Sequence, residues 1–155
     1  MKFTTREDIA ADIEHVFASV SDFDGLERAA LRRGAEVVRA DNLSAPGAGM
    51  SWQAKFPFRN RDREANMQLI GYDAPHGVTL LSKVSGIEAT VQVELMALSP
   101  NRTRLDLVLD LKPKSIPARL LLQSMKLARG NMVKKFRRRV ADFAQNIEDQ
   151  AKSRA

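Results

Sequence analysis

The sequence contains no cysteine and only two histidines, His15 and His76. Without cysteine there is no disulfide framework, no thiol nucleophile and no thiolate metal site. Two histidines are too few for a nitrogen-rich metal centre, so we expect neither a metal nor a cofactor. Aromatic residues make up 6% of the chain, which provides little for the exposed rings on which single-stranded nucleic acids stack.

Long apolar runs are also missing, and none approaches the roughly 20 residues that a membrane-spanning helix needs. The first residues, MKFTTREDIAADIE, are polar and acidic, unlike the start of a signal peptide. We therefore expect a cytoplasmic protein. The proportions of hydrophobic residues, 44%, and charged residues, 28%, in 155 residues are typical of one globular domain. We expect that domain to span residues 1–155, with fraying from about residue 150.

Motifs for covalent catalysis are absent as well. The chain has no G-x-S-x-G or S-x-x-K motif, and Gly47 and Gly49 form an isolated pair with no phosphate-binding frame. Both histidines are predicted at the surface. Four acids lie at strand positions opposite to the apolar ones and should face solvent, which argues against a buried acid and base pair: Glu88, Glu94, Asp106 and Asp110. No catalytic constellation is recognisable, and whether the protein is an enzyme stays open.

The first third of the chain is predicted to be helical. Apolar residues recur at three- and four-residue spacing from Ile13 to Val20, and Asp12 stands where an N-cap would bind the amides of the first turn. Residues 21–25 are predicted to end this helix. A second short helix is predicted over Leu26 to Arg33, between two glycines.

From about Ala35 the apolar period changes to two, which is typical of strands with one buried face. Residues 59–63 form a candidate hairpin tip, residues 73–77 a clear turn with proline and glycine, and residues 99–101 another turn. Short turns between long strands predict an antiparallel meander.

After Pro113 and Pro117 the period returns to 3.6 over about thirty residues. This pattern predicts one long C-terminal helix with a single apolar stripe of Leu121, Met125, Met132, Phe136, Val140, Phe143 and Ile147. An antiparallel sheet with one apolar face and an amphipathic helix must pack together. The fold class is therefore α+β in two layers.

The order of helix pair, six-strand meander and long terminal helix resembles the START-like superfamily, also called SRPBCC or helix-grip, which includes polyketide cyclases and lipid-transfer proteins. The most specific local match is the segment from Ala11 to Phe23, which is similar to the first helix of that family. The resemblance implies a first strand over Lys2 to Ile9. It also implies a curved sheet wrapped around the C-terminal helix, with an apolar cavity between them for a small hydrophobic ligand.

The candidate ligand-binding residues are apolar side chains that would point between the sheet and the helix. They are Trp52, Phe56, Met67, Leu69, Leu80, Val91, Val93, Leu107, Leu109, Met125 and Met132. Any core needs such a face, so most of these residues are expected to fill the core rather than to contact a ligand. Only the resemblance favours a cavity.

Arg129 falls inside the apolar stripe, whereas the basic residues around it fall outside. Its guanidinium group could bind an acidic group on an otherwise hydrophobic ligand. The alternative is an arginine that extends past the stripe to the sheet rim, where it pairs with an acid or with backbone carbonyls. Gly130, next in the chain, could mark a kink.

The net charge is +6, with a basic run at residues 134–139 and three arginines at the hairpin tip, Arg59, Arg61 and Arg63. These charges predict weak, salt-sensitive attraction to anionic surfaces and no specific nucleic acid binding. The leading hypothesis is binding or carrying of a small hydrophobic molecule. The alternatives are an enzyme of the polyketide cyclase or hydrolase type, and a peripheral binder of anionic surfaces through the basic helix.

Overall fold

The computed structural model describes residues 1–154. In chain order the elements are β1 (Lys2–Ile9), α1 (Ile13–Val20), α2 (Phe23–Arg32), β2 (Glu36–Arg39), β3 (Ser51–Phe58), β4 (Arg61–Asp73), β5 (Gly77–Val84), β6 (Ile87–Ser99), β7 (Arg102–Pro113), α3 (Ile116–Lys126) and α4 (Arg129–Ser153). The strands form one sheet in the order β1-β7-β6-β5-β4-β3-β2. Neighbouring strands run antiparallel, so the predicted meander and the α+β helix-grip class are confirmed.

The N-terminal strand and the first helix have the predicted bounds. β1 pairs with β7, from Lys2 opposite Asp110 to Ile9 opposite Thr103. The Asp12 carboxylate accepts a hydrogen bond from the His15 amide at 3.1 Å and so caps α1. The apolar side of α1 is buried, as its spacing predicts.

The predicted start of the second helix is wrong, because α2 begins at Phe23 and ends at Arg32. Asp22 caps α2 by accepting a hydrogen bond from the Gly25 amide at 3.2 Å. A side chain at Gly25 would collide with the Asp22 carboxylate. The glycine therefore makes room for the cap within the first turn of α2 and does not separate two helices.

Two tight turns shape the end of the sheet near α3. Arg59 and Asn60 both have positive φ, 51° and 62°, and form a two-residue turn between β3 and β4. Strand β4 therefore starts at Arg61, inside the tip predicted from the sequence. Ser85 and Gly86 repeat this geometry between β5 and β6.

The prediction of one continuous C-terminal helix is wrong. α3 and α4 are separated at Leu127 and Ala128. Leu127 keeps helical angles, φ −64° and ψ −28°, whereas Ala128 leaves the helical region with φ −106° and ψ 17° and so separates the two helices. α4 ends at Ser153.

The helices cover the sheet unevenly. α4 packs mainly across β1 and contributes Val140, Ala144 and Ile147 to the larger core cluster. α3 covers the other end of the sheet through a smaller cluster of Ile87, Ala118, Leu122 and Met125. Within residues 1–154, no helix combines the length and apolarity that would carry it across a bilayer.

Candidate functional site

A cavity of about 260 Å³ lies between α2 and the apolar face of the sheet. α1 and α2 contribute Val20, Phe23, Leu26, Glu27 and Ala30, and the strands contribute Val37, Trp52, Met67, Leu69, Val78, Leu80, Val91 and Val93. The cavity is therefore walled by the sheet and α2, and not by the C-terminal helix as the resemblance implies. Its lining is aliphatic and aromatic except for Glu27.

Six of the residues named from the sequence line this cavity: Trp52, Met67, Leu69, Leu80, Val91 and Val93. The register explains why they meet. Trp52 lies opposite Met67, and Leu80 lies between Leu69 and Val91 on adjacent strands. Residues directly opposite in an antiparallel sheet point to the same face, so these side chains form one apolar floor.

The other apolar candidates lie outside the cavity: Phe56, Leu107, Leu109, Met125 and Met132. Phe56 is four residues beyond Trp52 on β3, or about 13 Å along a strand. Leu107 packs against the larger core cluster, whereas Met125 and Met132 pack in the cluster beneath α3. Alternation identifies the face of a strand but not the position along it where a space remains.

Arg129 also lies outside the cavity, at the exposed start of α4. Its Nη2 donates a hydrogen bond to the Lys2 carbonyl oxygen at 3.3 Å, and its Cζ lies 5.4 Å from the centre of the Phe3 ring. This contact with β1 is the one expected from the second interpretation of Arg129, in which the side chain extends to the sheet rim and pairs with a backbone carbonyl. The cavity lining contains no lysine or arginine.

The α2 wall of the cavity was not predicted from the sequence. The Phe23 and Trp52 rings lie 5.4 Å apart at 50°, and Leu26 and Ala30 continue this wall along α2. Phe23, Leu26 and Ala30 have the three- and four-residue spacing of one helix face. That signal becomes visible only if α2 starts at Phe23.

Glu27 is the ionisable residue of the cavity lining. Its Oε1 accepts a hydrogen bond from the Trp52 Nε1 at 2.7 Å. Among residues 1–154 no second donor reaches this carboxylate, so Oε2 can accept a hydrogen bond from a bound molecule. The site can therefore bind an apolar molecule and recognise one donor group on it.

A charged cluster lies beside Trp52, where Arg39 is its neighbour on β2. The Asp41 carboxylate binds the Arg39 guanidinium and accepts hydrogen bonds from the amides of Leu43 at 2.9 Å and Ser51 at 2.7 Å. The Arg39 hydrogen bond holds the pKa of Asp41 well below its usual value, and the two backbone donors add to this effect although burial opposes it. The Arg39 Cζ lies 5.8 Å from the centre of the Trp52 ring. The cluster thus fixes the ring that forms the cavity wall.

The histidines do not contribute to this cavity. His15 lies on α1, where its Nε2 is buried without a hydrogen-bond partner in the described chain, and His76 is exposed in the turn before β5. Within residues 1–154 no group of three or more histidine or acidic side chains could hold a metal ion.

Several solved structures have the same architecture. A protein from Thermus thermophilus has a TM-score of 0.68 at 15% identity, covering 97% of this chain and 99% of its own. The Zhui aromatase/cyclase from Streptomyces sp. R1128 has a TM-score of 0.66 at 11% identity, covering 96% of this chain and 93% of its own. A START superfamily protein from Mycobacterium smegmatis has a TM-score of 0.60 at 15% identity, covering 99% of both chains.

No protein-family model matches the sequence, and no curated protein matches it either. At these identities the structural neighbours establish the architecture. The agreement extends over nearly the whole length of each neighbour, from β1 to α4. The chain therefore has the START-like, helix-grip fold that its sequence resembles.

Proposed function

We propose that the protein binds and carries a small hydrophobic ligand in the cavity between α2 and the sheet. The observation that carries this proposal is the lining itself, in which aliphatic and aromatic side chains surround one carboxylate. Binding sites for small molecules are typically apolar with a few placed polar groups. A cavity of about 150 Å³ admits benzene, so the 260 Å³ here suits a ligand of one or two rings or a short branched chain.

The ligand is neutral and carries a hydrogen-bond donor. Glu27 offers an acceptor, and the lining has no cation to bind a carboxylate or phosphate. An acid in this cavity would meet the negative charge of Glu27 and be repelled. A phenol or an alcohol meets both requirements, which replaces the acidic ligand expected from the position of Arg129.

The enzyme alternative requires at least two polar groups that converge on the ligand. One carboxylate that already accepts the Trp52 hydrogen bond does not meet that requirement. Ligand binding is therefore the function that the lining supports best.

The test uses para-propylphenol as the probe. Trp52 is the only tryptophan of the chain, so a change in its fluorescence reports directly on the cavity. We expect the phenol to change this fluorescence and to bind more tightly than para-propylanisole, which lacks the donor, or para-propylbenzoate, which carries a charge.

Two adjacent valines on β2 provide a matched pair of variants. Val37 lines the cavity, whereas Val38 points away and is 64% exposed. Val37→Phe should fill the space and abolish binding of the phenol, and Val38→Phe should bind it like the wild type. Equal binding by both variants, or no binding by the wild type, would overturn the proposal.

A further inference from the structure

An unusual apolar ridge lies on the outer side of α3. Ile116, Leu120 and Leu127 are 74%, 61% and 92% exposed. Leu127 directly follows α3 and keeps helical angles, so the spacing of four and seven residues places all three side chains on one face. The opposite face of α3 is buried through Ala118, Leu122 and Met125. Surface helices normally turn polar residues outward, so an aliphatic row on the solvent side marks an interaction surface.

Basic side chains flank this ridge. Arg119 and Lys126 lie on α3, and Arg59 and Arg61 lie on the neighbouring hairpin tip. The Arg59 Nη1 donates a hydrogen bond to the Ser124 Oγ at 3.2 Å and so holds the tip against α3. Among the ion pairs of residues 1–154, none involves these four cations.

The α3 surface is the combination of this ridge with the hairpin tip. It comprises Ile116, Leu120, Leu127, Phe58, Arg59, Arg61, Arg119 and Lys126. Phe58 adds a 38% exposed ring, with the Arg59 guanidinium 5.8 Å from its centre. The exposed acid within this tip is Asp62, so positive charge dominates.

We propose that the α3 surface docks on an anionic lipid membrane. Aliphatic side chains on one helix face can enter the boundary between headgroups and acyl chains, while flanking lysines and arginines meet lipid phosphates. A second copy of this chain fits less well, because a symmetric contact would place the same cations against one another. Nucleic acid would bind the cations but leave the aliphatic ridge uncovered.

The basic face of α4 provides an internal comparison. Lys134, Lys135, Arg137, Arg138 and Arg139 are all exposed. The large exposed apolar residues of the described chain include none from α4. Charge alone gives weak and salt-sensitive attraction, so α4 should contribute little to docking compared with α3. From the sequence, the basic C-terminal helix is the candidate for binding anionic surfaces. The proposal assigns this role to α3 instead.

The experiment measures binding of the full chain to vesicles by cosedimentation. We expect it to bind vesicles of phosphatidylcholine mixed with phosphatidylglycerol at least about tenfold more strongly than vesicles of phosphatidylcholine alone. The double variant Leu120→Ser, Leu127→Ser should lose about tenfold or more of this binding. Both leucines are exposed, so thermal unfolding should show an intact fold.

Two control variants separate charge from the specific surface. Lys134→Gln with Arg138→Gln removes two charges from α4 and should weaken binding no more than about twofold to threefold. Arg59→Gly removes a charge from the α3 surface and preserves the turn, since glycine tolerates positive φ. This variant should weaken binding more than the α4 pair does.

Three results would overturn the proposal. The first is equal binding to both vesicle types, and the second is wild-type binding by the leucine double variant. The third is a loss of binding for the α4 pair that equals or exceeds the loss for Arg59→Gly. A dimer in sedimentation velocity that the leucine variant dissociates would assign the ridge to self-association instead. None of the α3 surface residues lines the cavity, so binding of para-propylphenol remains a separate measurement.

Discussion

Gly77 lies directly against the carbonyl oxygen of Val93, leaving no room for a side chain between β5 and β6. Gly77 is the first residue of β5 and lies opposite Glu94, which Val93 directly precedes on β6. Because Val93 lines the cavity, the close approach of these two strands also sets the position of the cavity floor. A methyl group at residue 77 would force the backbones of β5 and β6 apart.

Replacing Gly77 should therefore be costly. We expect Gly77→Ala to lower the free energy of unfolding by about 1 to 3 kcal/mol, which is the usual cost of overpacking. Gly130 on α4 has no neighbour that a methyl group would meet. Gly130→Ala should raise the free energy by about 0.4 to 1 kcal/mol, because alanine loses less conformational entropy on folding. Urea unfolding of both variants measures the contrast, and a Gly77→Ala protein as stable as the wild type would contradict it.

Glu27 should act on ligand and fold in separable ways. In Glu27→Gln the amide oxygen can still accept the Trp52 hydrogen bond, but the charge is lost. We expect affinity for para-propylphenol to fall by roughly three- to tenfold, since hydrogen bonds to charged groups are about twice as strong as neutral ones. Binding of para-propylanisole should not change. Calorimetric titration measures both, and equal losses for the two molecules would show that Glu27 makes no specific contact.

Glu27→Leu serves as the structural counterpart. It removes the acceptor and leaves the indole N–H of the 5% exposed Trp52 without a partner. We expect the free energy of unfolding to fall by about 1 to 3 kcal/mol. Glu27→Gln should change it much less, and the same loss in both variants would rule out the hydrogen bond as the cause.

Asp41 should stabilise the protein in a pH-dependent manner. Its pKa in the folded protein is held below the ordinary value of 3.8 by Arg39 and the loop amides, so the folded state favours the carboxylate. The contribution of Asp41 to the free energy of unfolding is fully present above pH 3.8. It is lost as the pH falls through the pKa of Asp41 in the folded protein. Asp41→Asn should lower the denaturant midpoint most at neutral pH, and the difference from the wild type should shrink below pH 3.8. A constant difference at every pH would contradict this assignment.

Arg129→Met should have little effect. The arginine donates to the Lys2 carbonyl and contacts the Phe3 ring from an exposed position. We expect the free energy of unfolding to fall by less than about 1 kcal/mol, which is the scale of an exposed cation–π contact. Binding of the phenol, and exclusion of the benzoate, should match the wild type. Any loss of ligand affinity in this variant would restore Arg129 as an anchor for the ligand.

The architecture could be predicted from the sequence because the apolar period reports directly on strands and helices. The alternation around Trp52, Leu69 and Leu80 correctly assigned these residues to one face. The break before Arg129 could not be predicted in this way, since the apolar spacing of the sequence runs across it and the departure from helical angles is at Ala128. Gly25 misled the assignment of α2 because its role depends on the three-dimensional position of the Asp22 carboxylate.

The cavity was less predictable than the fold. Periodicity selected the correct face but could not indicate which part of that face the helices leave uncovered. Glu27 and Trp52 are 25 residues apart, and nothing in the local pattern around Glu27 marks it as a partner of an indole. A cationic ligand-binding group was expected because Arg129 falls inside the apolar stripe of the C-terminal helix. The ionisable residue of the cavity lining is instead the acid Glu27. The side of a helix that faces a cavity depends on the packing of the whole element, which the sequence pattern alone does not define.

The pairing of β1 with β7 has a consequence for how the chain folds. Lys2 lies opposite Asp110 and Ile9 opposite Thr103, so this edge of the sheet joins residues that are 108 positions apart at one end and 94 at the other. The strands from β2 to β7 pair with sequence neighbours and can form through short-range hairpins as they leave the ribosome. β1 must wait until β7 has been synthesised, and contacts of such high sequence separation slow folding. β1 is thus expected to be the last of the seven strands to join the sheet, and until then the edge of β7 that faces away from β6 remains open to association with other chains.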